Sequence, residues 1–502
     1  MTDKNPRTKR ERAAHMSYGG ILKYTGLLGG VQILQVLISV VRNKCAAVLI
    51  GRYGMGITDV LNRTTDMFGS LTNLGLPVSG VRAISEQYYG EDNDKLQSSI
   101  VTIRLWCVMT GIVGMLLCAI LADAVNRLFF AGSLPRHFLL YISPVVLFTA
   151  IYGGEAAILK GTRQLWRLAS ASVWGTFFSL IVTVAFYVTL GIRGIPWALQ
   201  ASSAALLITA LCITHKLYPW KLRAFTLSHL KAGKALLALG VSYISAGLAG
   251  SGAEMLVRSY ISHGSLADVG LYASGFAICV TYTRIVFVAM DAEYFPRLSA
   301  IGNNIADRNH AVARQIEICT LLMSPMIVAL LVLLPLMIAI LYNSEFNGAI
   351  GMCVLASGYL FLKAIIAPIE YIPLANNDSI VYFVMELIYD AAFVLFIVLG
   401  YGYYGIRGAG VALTASYALD IVLILIVYGI HYKFRLSRST IKIIVIQGII
   451  VAAAIVLFST GYRLSAYIAG TILFFVSALY SLRVLRLTPA RIKEILHKRL
   501  KK

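Results

Sequence analysis

Gly191-Ile-Arg-Gly-Ile-Pro-Trp-Ala-Leu-Gln-Ala-Ser202 returns later in the chain as Gly405-Ile-Arg-Gly-Ala-Gly-Val-Ala-Leu-Thr-Ala-Ser416, an offset of 214 residues. Small residues spaced this way recur in unrelated membrane helices, where they let backbones approach. Other landmarks share the offset, however. Gly56 pairs with Gly270 at the same spacing, and Leu159 pairs with Leu374 one residue out of step. The reading is therefore a duplication. Apolar stretches of spanning length lie between the copies, six by count, so the repeats run parallel and are related by an axis along the membrane normal.

Composition supports a membrane setting. The chain has 502 residues, of which 58% are hydrophobic and 13% charged, with a mean hydropathy of +0.77. Water does not tolerate so much apolar surface, whereas a bilayer does. A helix crosses the hydrocarbon with about 20 apolar residues. Hydropathy predicts such segments at 21–44, 57–80, 98–121, 138–159, 169–190, 195–214, 236–258, 269–291, 316–341, 349–373, 380–400, 407–430, 442–459 and 465–482. The fold class is thus an all-α polytopic membrane protein of about 14 transmembrane helices: two pseudo-symmetric six-helix lobes around a central cavity, plus two extra C-terminal helices. The expected organisation is a basic tail over 1–20, an N-lobe over 21–214 and a linker over 215–235. A C-lobe over 236–430, two helices within 442–482 and a basic tail over 483–502 complete it.

The net charge of +21 does not point to nucleic acid, because the cations are scattered over short loops. They follow instead the rule that cytoplasmic loops collect Lys and Arg. Lys4 to Arg12, then Lys160, Arg163 and Arg167, then Lys216 to Lys234, Lys433 to Arg438 and the C-terminal tail all fall on one side. Both termini are therefore expected in the cytoplasm, and the first apolar stretch reads as a retained helix. The seven cysteines form no CxxC pair, which predicts neither a disulfide framework nor a metal site.

Ionisable residues inside a membrane are costly, about 2.5–3.5 kcal/mol each at mid-bilayer, and so must face one another or water. Gln32, Gln35, Ser39 and Arg42 share one helical face, as do Asp59, Arg63, Asp66, Ser70 and Asn73. Gly247, Ser251, Glu254 and Arg258 align, as do Ser274, Thr281, Arg284 and Asp291, and Tyr359, Lys363 and Glu370 share a stripe. Lys44 is the repeat equivalent of Arg258, and Glu155 that of Glu370 when the one-residue shift that pairs Leu159 with Leu374 is applied. A shared hydrophilic cavity accounts for these faces. Its cations (Arg42, Lys44, Arg63, Arg258, Arg284 and Lys363) are candidates for binding an anion, with Gln32 and Gln35 beside them for hydroxyl groups. Asp66, Glu155, Glu254, Asp291 and Glu370 are candidates for H+ or Na+ coupling. No other cofactor is expected. A structural reading stands beside this one: Asp59/Arg63/Asp66 and Glu254/Arg258 have the spacing of intrahelical ion pairs, and Arg42 and Lys44 can snorkel to an interface.

The segment Arg42-Asn-Lys-Cys-Ala-Ala-Val-Leu-Ile-Gly51 with Tyr53-Gly-Met-Gly56, and Asn73-Leu-Gly-Leu-Pro77 with Gly80 and Arg82, resembles the multidrug/oligosaccharidyl-lipid/polysaccharide (MOP) exporter superfamily. The closer resemblance is to its polysaccharide-transporter branch of Wzx-type O-antigen flippases. That resemblance covers the whole chain. It implies translocation of undecaprenyl-pyrophosphate-linked oligosaccharide from the cytoplasmic to the periplasmic leaflet of a bacterial inner membrane, by alternating access. It also implies a site cation at Arg42, and a polysaccharide polymerase and chain-length machinery as partners. The related lipid II flippases carry further arginines where this chain has residues such as Val36 and Gly69.

Two alternatives are a lipid II flippase and a cation-coupled multidrug exporter of the same superfamily. The latter class uses a membrane carboxylate, and 21–41 has none. An enzyme is not expected: the longest external loop, about 123–137, holds only one acid, Asp123, and the histidines do not cluster.

Overall fold

A computed structural model describes residues 18–89, 93–130, 132, 134–220, 247–283, 287, 294–295, 297–301, 304–376 and 378–485. Arg284, Asp291, the side chain of Gln32 and most of both basic tails lie outside the described residues, as does most of the 215–235 linker. The described backbone is helical, without a strand. In hydrocarbon this is dictated by backbone chemistry, because a helix satisfies its own amides and carbonyls where no water can.

Contacts divide the chain into a unit ending at Gly270 and a unit beginning at Leu271. The first unit contains α1 (Tyr18–Leu49), α2 (Gly51–Thr72), α3 (Leu76–Tyr89), α4 (Asn93–Ile120) and α5 (Ala122–Phe130). It continues with α6 (Arg136–Gly161), α7 (Leu165–Leu190) and α8 (Ile195–Leu217), then α9 over 247–264. Helix α6 packs on α3, α4 and α8, and α7 packs on α1 and α8. Helix α10 (Leu266–Phe276) begins in this unit and runs on as a π-helical turn, Ala277–Thr281. The second unit holds α11 (Ile305–Leu341), α12 (Ala349–Ala375), α13 (Ser379–His431), α14 (Arg438–Ser459) and α15 (Leu464–Val484). Helices α14 and α15 both lie on α11.

Among the described residues, eight helical stretches are long and apolar enough to cross a membrane. Two of these, Leu165–Leu217 and Ser379–His431, fold back at the duplicated Gly-Ile-Arg-Gly sequence. The backbone there is nearly the same in both halves: φ 55°, ψ −133° at Gly191 and φ 59°, ψ −145° at Gly405. A β-carbon is strongly disfavoured in that region, so glycine is what permits each corner.

The segment expected as one helix over 57–80 is two. Helix α2 stops at Thr72, and Leu74 and Gly75 turn through φ 49° and 69°. The Asn73 side chain accepts the Gly75 amide at 2.8 Å and stabilises the break. Hydropathy is blind to such a turn because Leu74 and Leu76 keep the stretch apolar.

Candidate functional site

Helix α2 is amphipathic. Ile57, Val60, Leu61, Thr64 and Phe68 are buried, whereas Asp59, Arg63 and Asp66 occupy another face. That face meets α9 in an antiparallel ladder. Arg258 Nε donates to Asp59 at 2.7 Å, Arg63 Nη1 lies 2.8 Å from Glu254, and Ser70 and Ser251 are 3.3 Å apart. Pairs within each helix are longer, at 3.7 Å for Arg63 with both Asp59 and Asp66 and 3.5 Å for Arg258 with Glu254. The cross-helix pairs therefore dominate. Arg258 is 1% exposed, while Arg63 and Glu254 keep 29% and 28%. Buried arginine is tolerable here because carboxylates meet it directly. Three carboxylates face two guanidiniums, so the cluster carries one net negative charge.

Beyond the ladder α2 and α10 touch backbone to backbone. A β-carbon on Gly56 would stand 1.8 Å from the Leu266 carbonyl oxygen, and one on Gly270 would stand 2.0 Å from that of Arg52. The duplicated glycines thus close one end of this seam.

Arg42, Lys44 and Gln35 lie on α1, all half-buried. The charge of Arg42 reaches Tyr187 of α7, whose hydroxyl bonds to Thr58 of α2. Arg42 therefore lies within electrostatic reach of α7, at a tyrosine that also meets α2.

Glu155 has a different setting. It is fully buried on α6 and receives a two-pronged contact from Arg104 of α4, at 2.8 and 3.0 Å. Trp220 Nε1 adds a third donor at 3.0 Å. Arg104 also donates to the Tyr218 carbonyl at 2.9 Å, and its guanidinium lies 4.9 Å from the centre of the Trp220 ring.

In the second unit Lys363 of α12 donates to the Tyr359 hydroxyl at 3.1 Å and lies 5.6 Å from the Phe287 ring. Tyr359 packs edge-on to Tyr417 at 4.4 Å, and Tyr417 edge-on to Tyr389 at 4.9 Å. The aromatic chain ends at a pocket of about 10 Å³ lined by Glu370, Tyr382, Glu386, Tyr389, Asp420 and Tyr428, the space of one water. Glu370 and Lys363, one stripe in sequence, thus stand at the two ends of this tyrosine chain. Among the described residues no group of three or more His, Cys, Asp or Glu has the geometry to hold a metal.

Sequence reasoning missed Arg104, Trp220, Glu386 and Asp420. A signal for the first was available: Arg104 is the lone charge in 98–121, and Glu155 the lone charge in 138–159. Two solitary opposite charges in neighbouring spans have each other as the economical partner. Glu386 and Asp420 lie on the two arms of α13, and only the fold at Gly405 brings them together.

This is a multi-pass membrane fold with charge pairs inside it, and the solved structures it resembles are transporters of the MOP superfamily. A lipid II flippase, MurJ, in an inward closed conformation is 13% identical, with a TM-score of 0.68 over 92% of this chain and 98% of that one. An inward-facing multidrug resistance MATE family transporter is 14% identical, with a TM-score of 0.67 over 78% and 93%. A MOP transporter from Pyrococcus furiosus, described as having a binding pocket of reversed polarity, is 13% identical with a TM-score of 0.57 over 80% and 94%. At such identities the likeness concerns the fold. No curated protein sequence matches the chain. Residues 86–351 match the sequence profile of the polysaccharide biosynthesis protein family, and the chain belongs to that family.

Proposed function

We propose that this protein is a flippase carrying an undecaprenyl-pyrophosphate-linked oligosaccharide from the cytoplasmic to the periplasmic leaflet of a bacterial inner membrane by alternating access. The observation that carries this reading is the half-exposed Arg63–Glu254 pair beside the buried Arg258–Asp59 pair, in a member of a polysaccharide biosynthesis family. A guanidinium offers a phosphate the same two-pronged fork that it offers a carboxylate. A diphosphate entering beside Arg63 would compete with Glu254 for it. Arg42, Lys44 and Lys363 are the further cations we assign to substrate, with Arg284, and with Gln32 and Gln35 for glycan hydroxyls. The lobes of the duplication, 21–214 and 236–430, are the bodies we propose to move, so the pairs between α2 and α9 are bonds that exchange during the cycle. A carboxylate left without its arginine would take up H+ or Na+, a role we assign to Glu254 and Asp66. A polymerase and chain-length machinery would receive the product, and both termini would face the cytoplasm.

Complementation in a bacterium lacking its own polysaccharide flippase tests this, with Arg42→Ala, Arg63→Ala, Arg63→Lys and Lys363→Ala at matched expression. Surface polysaccharide restored by the parent chain, lost with Arg63→Ala and reduced with Arg63→Lys is the expected result. Full rescue by every variant would sink the assignment. A second reading, a cation-coupled drug exporter, is favoured by the net negative charge of the ladder. Drug resistance conferred without surface polysaccharide would select it.

A further inference from the structure

Beside the Arg104–Glu155 pair runs a groove of about 530 Å³ lined by Ile151 of α6, Leu211, Cys212, His215 and Lys216 of α8, and Trp220. Its size falls within the roughly 300–1,000 Å³ of small-molecule sites. We propose that this groove binds one anionic membrane phospholipid, with an acyl chain against the apolar wall and the phosphodiester against Lys216 and His215.

The wall is apolar by construction. An indole carries one polar atom, and here it is consumed inward by Glu155 at 3.0 Å. Trp220 therefore offers the groove only hydrocarbon, held in place by a carboxylate that Arg104 fixes in turn. Cys212, His215 and Lys216 are exposed and occupy one face of α8, since positions four apart lie together on a helix. That face passes along its length from a thiol to a basic rim, the order of tail and headgroup in a lipid.

Charge selects the occupant. Among the described residues no carboxylate lines the groove, and the nearby Glu155 is paired with Arg104. Lys160, Arg163 and Arg167 gather at the turn joining α6 to α7, and the charge of Arg167 reaches Tyr218, two residues from Trp220. One lysine and one histidine suit the single charge of a phosphodiester. A lipid-linked diphosphate carries more charge and calls for arginine forks. The fit is therefore to a bulk anionic lipid rather than to the cargo, and no lining residue of the groove belongs to α2 or α9.

The experiment uses the full chain in vesicles containing phosphatidylglycerol or phosphatidylcholine with a photoactivatable acyl chain, cross-linked peptides being mapped by mass spectrometry. Labelling of Ile151, Leu211 or Cys212 should be about fivefold higher with phosphatidylglycerol, the effect of one basic residue on an anionic surface lipid. Lys216→Glu, an exposed change that leaves packing alone, should abolish the difference, and Ile151→Trp should block labelling by both lipids. Equal labelling by the two lipids overturns the proposal, as does labelling that survives Ile151→Trp. Displacement by undecaprenyl pyrophosphate but not by phosphatidylglycerol also overturns it, assigning the groove to cargo. Cross-linking needs no turnover, so its outcome is independent of whether the chain flips a glycolipid.

Discussion

Replacing Glu155 with alanine tests whether this acid is a structural clamp. The side chain is fully buried, its partner Arg104 is 4% exposed, and three donors converge on its two oxygens at 2.8, 3.0 and 3.0 Å. Removal strands a guanidinium that can neither reach water nor lose its proton. Breaking one partner of a buried pair costs about 3–5 kcal/mol, and the orphaned indole N–H adds to that by about 1 kcal/mol or more. Replacing both Arg104 and Glu155 with leucine leaves no buried charge, and should cost far less than either single change to alanine. The assay is unfolding of the purified protein by titration of denaturing detergent in mixed micelles, run as a double-mutant cycle. A Glu155→Ala protein within about 1 kcal/mol of the parent would refute the argument, since a desolvated, uncompensated arginine cannot be that cheap. If Glu155→Gln also kept parental stability yet abolished transport, while Arg104→Leu/Glu155→Leu transported normally, the acid would be neither clamp nor simple coupling group.

Gly56→Ala should force α2 from α10, because the new β-carbon would meet a backbone oxygen at 1.8 Å. Spin labels at the exposed positions Tyr53 and Gly264 should report a longer, broader distance distribution, and an unchanged one would contradict the contact. A charge swap, Arg63→Glu with Glu254→Arg, should restore transport lost in either single variant if the 2.8 Å pair exchanges during the cycle. Failure of the swap with both singles inactive would assign at least one residue directly to substrate. Asp378, between α12 and α13, has its carboxyl held below the usual 3.8, chiefly by the hydrogen bond from Tyr432 and further by the Val381 amide and His431. A depressed acid contributes stability above its unfolded value, and that contribution is lost as pH falls through the folded one. Tyr432→Phe should therefore cost about 1 kcal/mol near neutrality and leave a shallower loss of stability below about pH 4, read by thermal melts across pH. Gln447, buried between α14 and α15, donates to Ser481 at 2.9 Å and accepts from Ser477 at 2.7 Å. Gln447→Leu should cost about 0.6–1.7 kcal/mol by detergent titration, and Ser477→Ala should add little on top of it.

Much of the fold was legible because hydrocarbon imposes two rules a sequence must display: long apolar stretches, and backbone exceptions only where glycine allows them. The Gly-Ile-Arg-Gly corners satisfied both. The break at Asn73–Gly75 was hidden, since capping by one side chain leaves no trace in hydropathy. Site residues were harder. Spacing reveals neighbours on one helix, so Glu254 and Arg258 read as partners, yet the shorter bond of Arg258 is to Asp59, nearly two hundred residues away. Which faces of different helices meet is settled by packing of small residues such as Gly56, and the chain states that only indirectly. Glu155 and Glu370 correspond by repeat, but one is locked to an arginine and the other lines a pocket with two more acids. Duplicated position did not preserve duplicated environment.

The matching corners at Gly191 and Gly405 have a bearing on how such chains drift. A residue whose backbone angles admit essentially one amino acid is closed to substitution, while its neighbours are free to wander within the apolar alphabet. Side chains around the two corners have already parted, with Pro196 standing opposite Gly410 and Gln200 opposite Thr414. The corners themselves have kept step. They act as registration marks by which the two halves of a distant relative can be laid over one another, even after every other letter between them has changed.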